Sequence, residues 1–257
     1  MTRKPAHPAV EDFGEAWPRL RGPAIAHRGL WEPDGAPENS LAAFQHAAEQ
    51  GFGVELDVQI SADGEAVVFH DADLARMTGA AGRVRDFAAR DLQKLKLKGS
   101  DETLPTLAEA LAVIGHRSLV MVELKTPSGE VGPLEKRVHD VLLDHKGPVA
   151  LIGFNAYSHA WFADHHPKIL RGLNSHAYAD GEGRMSADAI RSLRALEHVK
   201  IARPHFLALG LDMLPSPEAD ALRDSGMPVV AWTVRSPADW RRVEAHCDNL
   251  IFEGFRP

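Results

Sequence analysis

A chain of 257 residues that is 44% hydrophobic and 25% charged can bury a large core, which excludes extensive disorder and makes one compact domain the natural expectation. Its net charge of −7, with Lys and Arg scattered rather than clustered, argues against a nucleic-acid or anionic-membrane surface, so an anionic ligand would have to be met by local cations or a metal. Cys247 is the only cysteine, which excludes an internal disulfide, and since nothing near it in sequence suggests a lowered thiol pKa, the expectation is a small buried filler rather than a nucleophile.

In chain order, Met1 to Pro23 carries Pro5, Pro8, Pro18 and Pro23 but no apolar run of the length that a signal-peptide core or a membrane span needs. The expectation is a cytoplasmic protein without a membrane span. Strand-like apolar runs follow at Ala24–His27, Gly53–Ile60, Leu119–Lys125, Val149–Phe154, Ile169–Leu173, Phe206–Leu209, Val229–Val234 and Leu250–Phe252, and they alternate with amphipathic helical segments. The helices carry their own punctuation. Thr106-Leu107-Ala108-Glu109 reads as a capping box, Ser216-Pro217 and Ser236-Pro237 as caps with a first-turn proline, and Gly51 and Gly226 as terminators.

About eight strands separated by helices favour a parallel sheet with right-handed crossovers, closed into a TIM-type (β/α)8 barrel of α/β class. No dinucleotide or phosphate-loop glycine pattern follows an early strand. One segment breaks the rhythm. Asp63-Gly64 between Gly53–Ile60 and Glu65–His70 predicts a tight antiparallel hairpin, and two turn residues there would set Asp57 opposite His70 on one face. From about 71 to 105 the pattern turns irregular and charged, which predicts a small insertion over one end of a single domain spanning 1–257.

Three strand ends hold polar residues where a core pattern would be apolar: His27-Arg28, Glu55/Asp57/Gln59 and Glu123/Lys125. Side chains two apart along a strand share a face at roughly 7 Å, so Glu55 and Asp57 point one way while Val54, Leu56 and Val58 point the other. With the apolar set against the helices, the acids face inward near the C-terminal rim, where barrel enzymes place their sites. Inward acids either pair with Arg28 and Lys125 as a structural ion network or share a divalent cation, and oxygen-only ligation favours Mg²⁺ or Ca²⁺. His27 and His70 are candidate acid/base partners beside them. Glu38 and Asn39 read as orienting groups or as a turn in which Asn39 or Ser40 caps the next helix. Trp232 is a core aromatic or a pocket wall. His159, His165, His166, His176 and His205 have no spacing that ties them to a site, and most are expected at the surface.

Taken together, these residues resemble the glycerophosphodiester phosphodiesterase family. The resemblance runs through His27-Arg28-Gly29, Pro37-Glu38-Asn39-Ser40-Leu41 with Ala43-Phe44, Glu55-Leu56-Asp57-Val58, Asp63-Gly64, Val67 to His70-Asp71, Leu74, Arg76, Thr78-Gly79, Leu104-Pro105-Thr106-Leu107 and Glu123-Leu124-Lys125. It is looser afterwards. Trp232-Thr233-Val234 looks like the family's late tryptophan motif, but Leu250-Ile251-Phe252-Glu253-Gly254 departs from its Ile-Ile-Thr-Asp-x-Pro ending.

The resemblance implies hydrolysis of glycerophosphodiesters such as glycerophosphocholine or glycerophosphoethanolamine to sn-glycerol 3-phosphate and an alcohol. It further implies one divalent cation on Glu55, Asp57 and Glu123, proton transfer by His27 and His70, and substrate contacts from Arg28, Lys125, Asn39 and Trp232. Two other readings stand beside it: a lipid-cleaving phospholyase of sphingomyelinase D type, which would release a cyclic phosphate, and a non-catalytic phosphodiester-binding barrel. No oligomeric state follows from the sequence.

Overall fold

The computed structural model describes residues 13–178 and 185–257; Pro5 and Pro8 of the N-terminal stretch lie outside the described residues. Among the described residues nine strands form one sheet: β1 (Ile25–Ala26), β2 (Gly53–Ile60), β3 (Ala66–Val68), β4 (Val120–Leu124), β5 (Val149–Gly153), β6 (Leu170–Ser175), β7 (Phe206–Gly210), β8 (Val229–Val234) and β9 (Asn249–Phe252). Eight are parallel, in the order β1, β2, β4 to β9, and β1 pairs with both β2 and β9. The sheet is therefore a closed TIM barrel with helices between its strands, as the alternating pattern predicts.

Period-two alternation decides what fills the barrel. Val54, Leu56, Val58, Val122 and Leu124 pack outward with helix residues such as Phe44, Leu111 and Val138. Met121, Ala150, Ile152, Phe206, Ala208, Val230 and Ile251 meet in a separate inner cluster, joined by Phe13, Ala16 and Leu20. That inner core occupies the lower barrel and leaves the C-terminal rim to polar side chains.

The local signals behave as their chemistry requires. Thr106 accepts from the Glu109 N–H while Glu109 accepts from the Thr106 N–H. Ser216 and Ser236 cap their helices, and Gly51 and Gly226 take φ of +79° and +98° just past two helix ends. Cys247 is buried, and burial pushes its thiol up to about 12, which suits a filler.

The hairpin differs from the two-residue turn predicted for it. The Ser61 N–H donates to Glu65 O and the Gly64 N–H to Ser61 O, so the loop is Ala62-Asp63-Gly64 with Gly64 left-handed at φ +82°. A three-residue loop of this kind moves the register by one. Val58 faces Val68 and Gln59 faces Val67, and the Phe69 N–H bonds Asp57 O, so Asp57 lies opposite Phe69 and not opposite His70. The reason is Ser61, whose hydroxyl donates to Asp63 and accepts from the Glu65 N–H, drawing an extra residue into the turn. From β3 to Leu104 the chain builds its own small core, which includes Val67 of β3 with Phe69, Leu74, Val84, Leu92 and Leu97.

Candidate active site

Glu55 and Asp57 rise from the inner face of β2, and Asp57 is in register with Glu123 on β4. All three are buried, and each offers a carboxylate oxygen within 4.8 Å of the others, a group able to hold a metal ion. Lys125 closes the cluster: its Nζ lies 2.8 Å from Asp57 Oδ1 and 2.7 Å from Glu123 Oε1. Arg28 approaches from the other side. Its N–H donates to Glu55 Oε2 at 2.9 Å, its Nη1 to Glu38 Oε1 at 2.8 Å, and its Nε lies 3.6 Å from Asp57 Oδ2.

Burial acts against every charge here, and neighbours decide each outcome. Glu55 is pushed well above the ordinary carboxylate range by burial and by the charges of Asp57 and Glu123. For Asp57 burial pulls the same way, but Lys125, His70 and Arg28 outweigh it and hold the carboxyl well below its usual range. Lys125 is raised despite its burial because Asp57 and Glu123 hold its proton. His70 is lowered, first by burial and then by Lys125 and Arg28, against the pull of Asp57 and Asp71. Glu55 Oε1 is buried without a hydrogen-bond partner among the described residues. A cluster that raises one of its own acids and leaves that oxygen bare fits a divalent cation taking oxygen donors.

Both imidazoles are held by carboxylates. His27 Nδ1 is 2.6 Å from Glu253 Oε2, and Glu253 Oε1 accepts from Arg235 Nε at 2.6 Å. His70 Nδ1 is 2.7 Å from Asp71 Oδ1, and Asp71 is bonded to Arg76, which also spans both oxygens of Glu38. The register correction leaves His70 beside the acids, because Gln59 Nε2 donates to the carbonyls of Phe69 and Asp71 at 2.8 and 2.7 Å, pinning the backbone on either side of it.

His27, Arg28, Glu55, His70, Glu123, Lys125 and Trp232 line one cavity of about 220 Å³, together with Phe154 and Asn174. Asp57, fully buried, is not in its wall. Asn39 is not in the cavity wall: its Nδ2 donates to Asp57 Oδ2 and its Oδ1 accepts from the Asp57 N–H, while Ser40 makes the helix cap. Trp232 stands edge to face with Phe154, centroids 5.7 Å apart. A larger cavity of about 730 Å³ opens around the starts of β5 and β6 and includes none of these residues.

Sequence reasoning passed over Glu253, Arg235 and Asn174. Inward alternation along β6 and β9 signals Asn174 and Glu253, while the pairing of His27 with Glu253 depends on barrel closure. Of the five histidines that no spacing ties to a site, most of them expected at the surface, two are buried. His159 is fully enclosed with its Nε2 3.0 Å from Gly153 O, and His205 packs against Phe13 and Arg171.

Residues 27–253 match the model of the glycerophosphoryl diester phosphodiesterase family. A glycerophosphodiester phosphodiesterase of Caldanaerobacter subterraneus is 36% identical over 52% of this chain and 58% of its own length. The human glycerophosphodiester phosphodiesterase 1 is 40% identical over 42% of this chain and 35% of its length. These matched stretches thus span less than two thirds of either relative. Among solved structures, a phosphodiesterase of Oleispira antarctica, in complex with the product sn-glycerol-3-phosphate, superposes with a TM-score of 0.76 at 26% identity, covering 90% of this chain and 92% of that one. Among the described residues no helix is long and apolar enough to cross a membrane. The family model covers nearly all of the barrel, from the histidine at the end of β1 to the glutamate after β9, and the chain belongs to the glycerophosphoryl diester phosphodiesterase family.

Proposed function

We propose that this chain is a metal-dependent hydrolase that splits glycerophosphodiesters into sn-glycerol 3-phosphate and an alcohol. The observation that carries the reading is the gathering of Glu55, Asp57 and Glu123 within 4.8 Å of one another in a cavity flanked by two imidazoles. The product bound in the Oleispira antarctica relative supports the same substrate class.

Glu55, Asp57 and Glu123 would hold one divalent cation, Mg²⁺ or Ca²⁺, their all-oxygen donor set suiting a hard ion. Such an ion, when bound, supplies charge stabilisation and orientation at a phosphoryl oxygen. Arg28 offers a planar fork and Lys125 a point charge to the remaining phosphate oxygens. In hydrolysis water adds to phosphorus, the bond to the leaving alcohol breaks, and one proton leaves the water while another reaches the alcohol. His27 and His70 divide those two transfers, each presenting Nε2 to the cavity while Nδ1 is held. Asn39 orients Asp57, and Trp232 with Phe154 walls the organic part of the substrate.

The test is an assay of glycerophosphocholine and glycerophosphoethanolamine with and without chelator, on the wild type, His27→Ala and Glu55→Ala, with the products identified. The expected result is sn-glycerol 3-phosphate, abolished by chelator and by either substitution. A cyclic phosphate product would assign the chain to phospholyase chemistry instead. Binding without turnover would make it a binding barrel.

A further inference from the structure

Glu253 stands directly after β9, where barrel closure brings the last strand beside the first. Two backbone bonds fix its place: the His27 N–H donates to Phe252 O at 2.9 Å, and the Glu253 N–H donates to Val234 O at 3.1 Å. The His27 ring and the Glu253 carboxylate are therefore carried on neighbouring, hydrogen-bonded strand ends rather than on loose loops. Across that fixed span His27 Nδ1 and Glu253 Oε2 are 2.6 Å apart, and Arg235 Nε meets the other oxygen at 2.6 Å. Both His27 and Glu253 are largely buried, whereas 61% of the Arg235 side chain is exposed.

A carboxylate only accepts hydrogen bonds, so the imidazole nitrogen facing it must carry the hydrogen. Burial pushes Glu253 up, but His27 and Arg235 outweigh it and bring the carboxyl down to about 2, which keeps it an acceptor. With Nδ1 committed, Nε2 alone is left to exchange a proton with a ligand in the cavity. His70 shows the same construction, with Asp71 and Arg76 in the matching places.

We propose that Glu253, steadied by Arg235, is the positioning residue of His27, fixing its Nδ1–H tautomer, aiming Nε2 at the reacting phosphodiester and stabilising the imidazolium when His27 holds a proton. The proton exchanged at Nε2 stays on the imidazole, and Glu253 remains a carboxylate throughout. The inference rests on the reading of His27 as a proton carrier.

The test compares Glu253→Gln, Glu253→Asp, Arg235→Met and His27→Ala on glycerophosphocholine and on a p-nitrophenyl phosphodiester, whose leaving group needs little protonation. Glu253→Gln is expected to lower kcat by ~10–100-fold with KM within ~2-fold, as removal of an orienting partner does. Glu253→Asp should recover part of that loss, and Arg235→Met should lose under ~5-fold, as an exposed ion pair warrants. The loss in Glu253→Gln should depend on the leaving group in the same way as the loss in His27→Ala. Should Glu253→Gln fail to fold, Glu253→Asp carries the same comparison. Full kcat in Glu253→Gln, or a leaving-group dependence unlike that of His27→Ala, overturns the positioning role while leaving an active enzyme. A wild type inactive on both substrates instead overturns the functional reading beneath it.

Discussion

Asn39 grips Asp57 at both ends of its amide: Nδ2 donates to Oδ2 at 2.8 Å, and Oδ1 accepts from the Asp57 N–H at 3.2 Å. Because a backbone N–H can only donate, this pair also fixes which way the amide faces. Both residues are buried, and Asn39 takes a left-handed φ of +57°, a conformation that Asn and Gly tolerate better than Ala.

Asn39→Gly therefore keeps the backbone and deletes only the grip. It should weaken binding of Mg²⁺ or Ca²⁺ by ~10–100-fold, the usual effect of losing a partner that orients a ligand. Asn39→Asp should lose more, since a second carboxylate would face Asp57 Oδ2. Titration calorimetry with the metal alone measures both, and unchanged affinity in Asn39→Gly would remove the orienting role.

Gln59 does for His70 what Asn39 does for Asp57, through two carbonyls rather than a side chain. Gln59→Glu removes both donors and sets a carboxylate against those carbonyls. If His70 carries a proton as proposed, turnover should fall by ~10-fold or more, because misplacing a reacting group by about 1 Å is costly. Steady-state kinetics checks this: a kcat equal to that of the wild type would mean that His70 is held by Asp71 alone.

The barrel and its acids were legible because β2 and β4 alternate cleanly, with Val54, Leu56 and Val58 outward and Glu55 and Asp57 inward. The hairpin register was not, since Asp63-Gly64 alone reads as a two-residue turn, whereas the backbone pairing of Ser61 with Glu65, supported by the Ser61 hydroxyl, takes in a third residue. That His70 still reaches the acids depends on Gln59, a contact no turn rule contains. The pairing of Glu253 with His27 joins residues 226 apart in sequence and exists only once β9 closes against β1. No spacing ties His159 to a site, and its helix, Ala156–His165, has little apolar periodicity of its own to signal that the side chain turns inward to Gly153.

His159 also predicts a pH response. Burial brings its pKa from 6.5 to about 4, and His198 likewise. Below pH 6.5 the unfolded chain binds protons that the folded chain refuses, so this contribution is complete above pH 6.5 and is lost as pH falls towards 4. For His159 it amounts to about 3 kcal/mol across the whole window. Glu55 acts in the opposite sense: with its folded pKa raised, acidification stabilises through it. The comparison is therefore between variants. His159→Gln, which retains a donor for Gly153 O, should show a visibly shallower fall in Tm from pH 7 to 5 than the wild type, and equal slopes would refute the assignment.

Substitution of Lys125 would separate the metal binding proposed for the acids from the phosphate contact proposed for the lysine. Its Nζ bridges Asp57 and Glu123, so in the absence of a divalent ion it is the main counter-charge inside the cluster. Lys125→Met leaves three buried acidic side chains, with the Arg28 guanidinium still 3.6 Å from Asp57. Breaking a buried pair by deleting one partner costs about 3–5 kcal/mol, so the variant should melt well below the wild type in chelator. Adding Mg²⁺ or Ca²⁺ should then raise its Tm by more than it raises that of the wild type, because the ion replaces charge the lysine supplied. Turnover should stay low even with metal in excess, by ~10²-fold or more, since the point charge proposed for the phosphate oxygens is gone. A Tm shift with metal that disappears in Lys125→Met would instead make Lys125 part of the structure that forms the metal site.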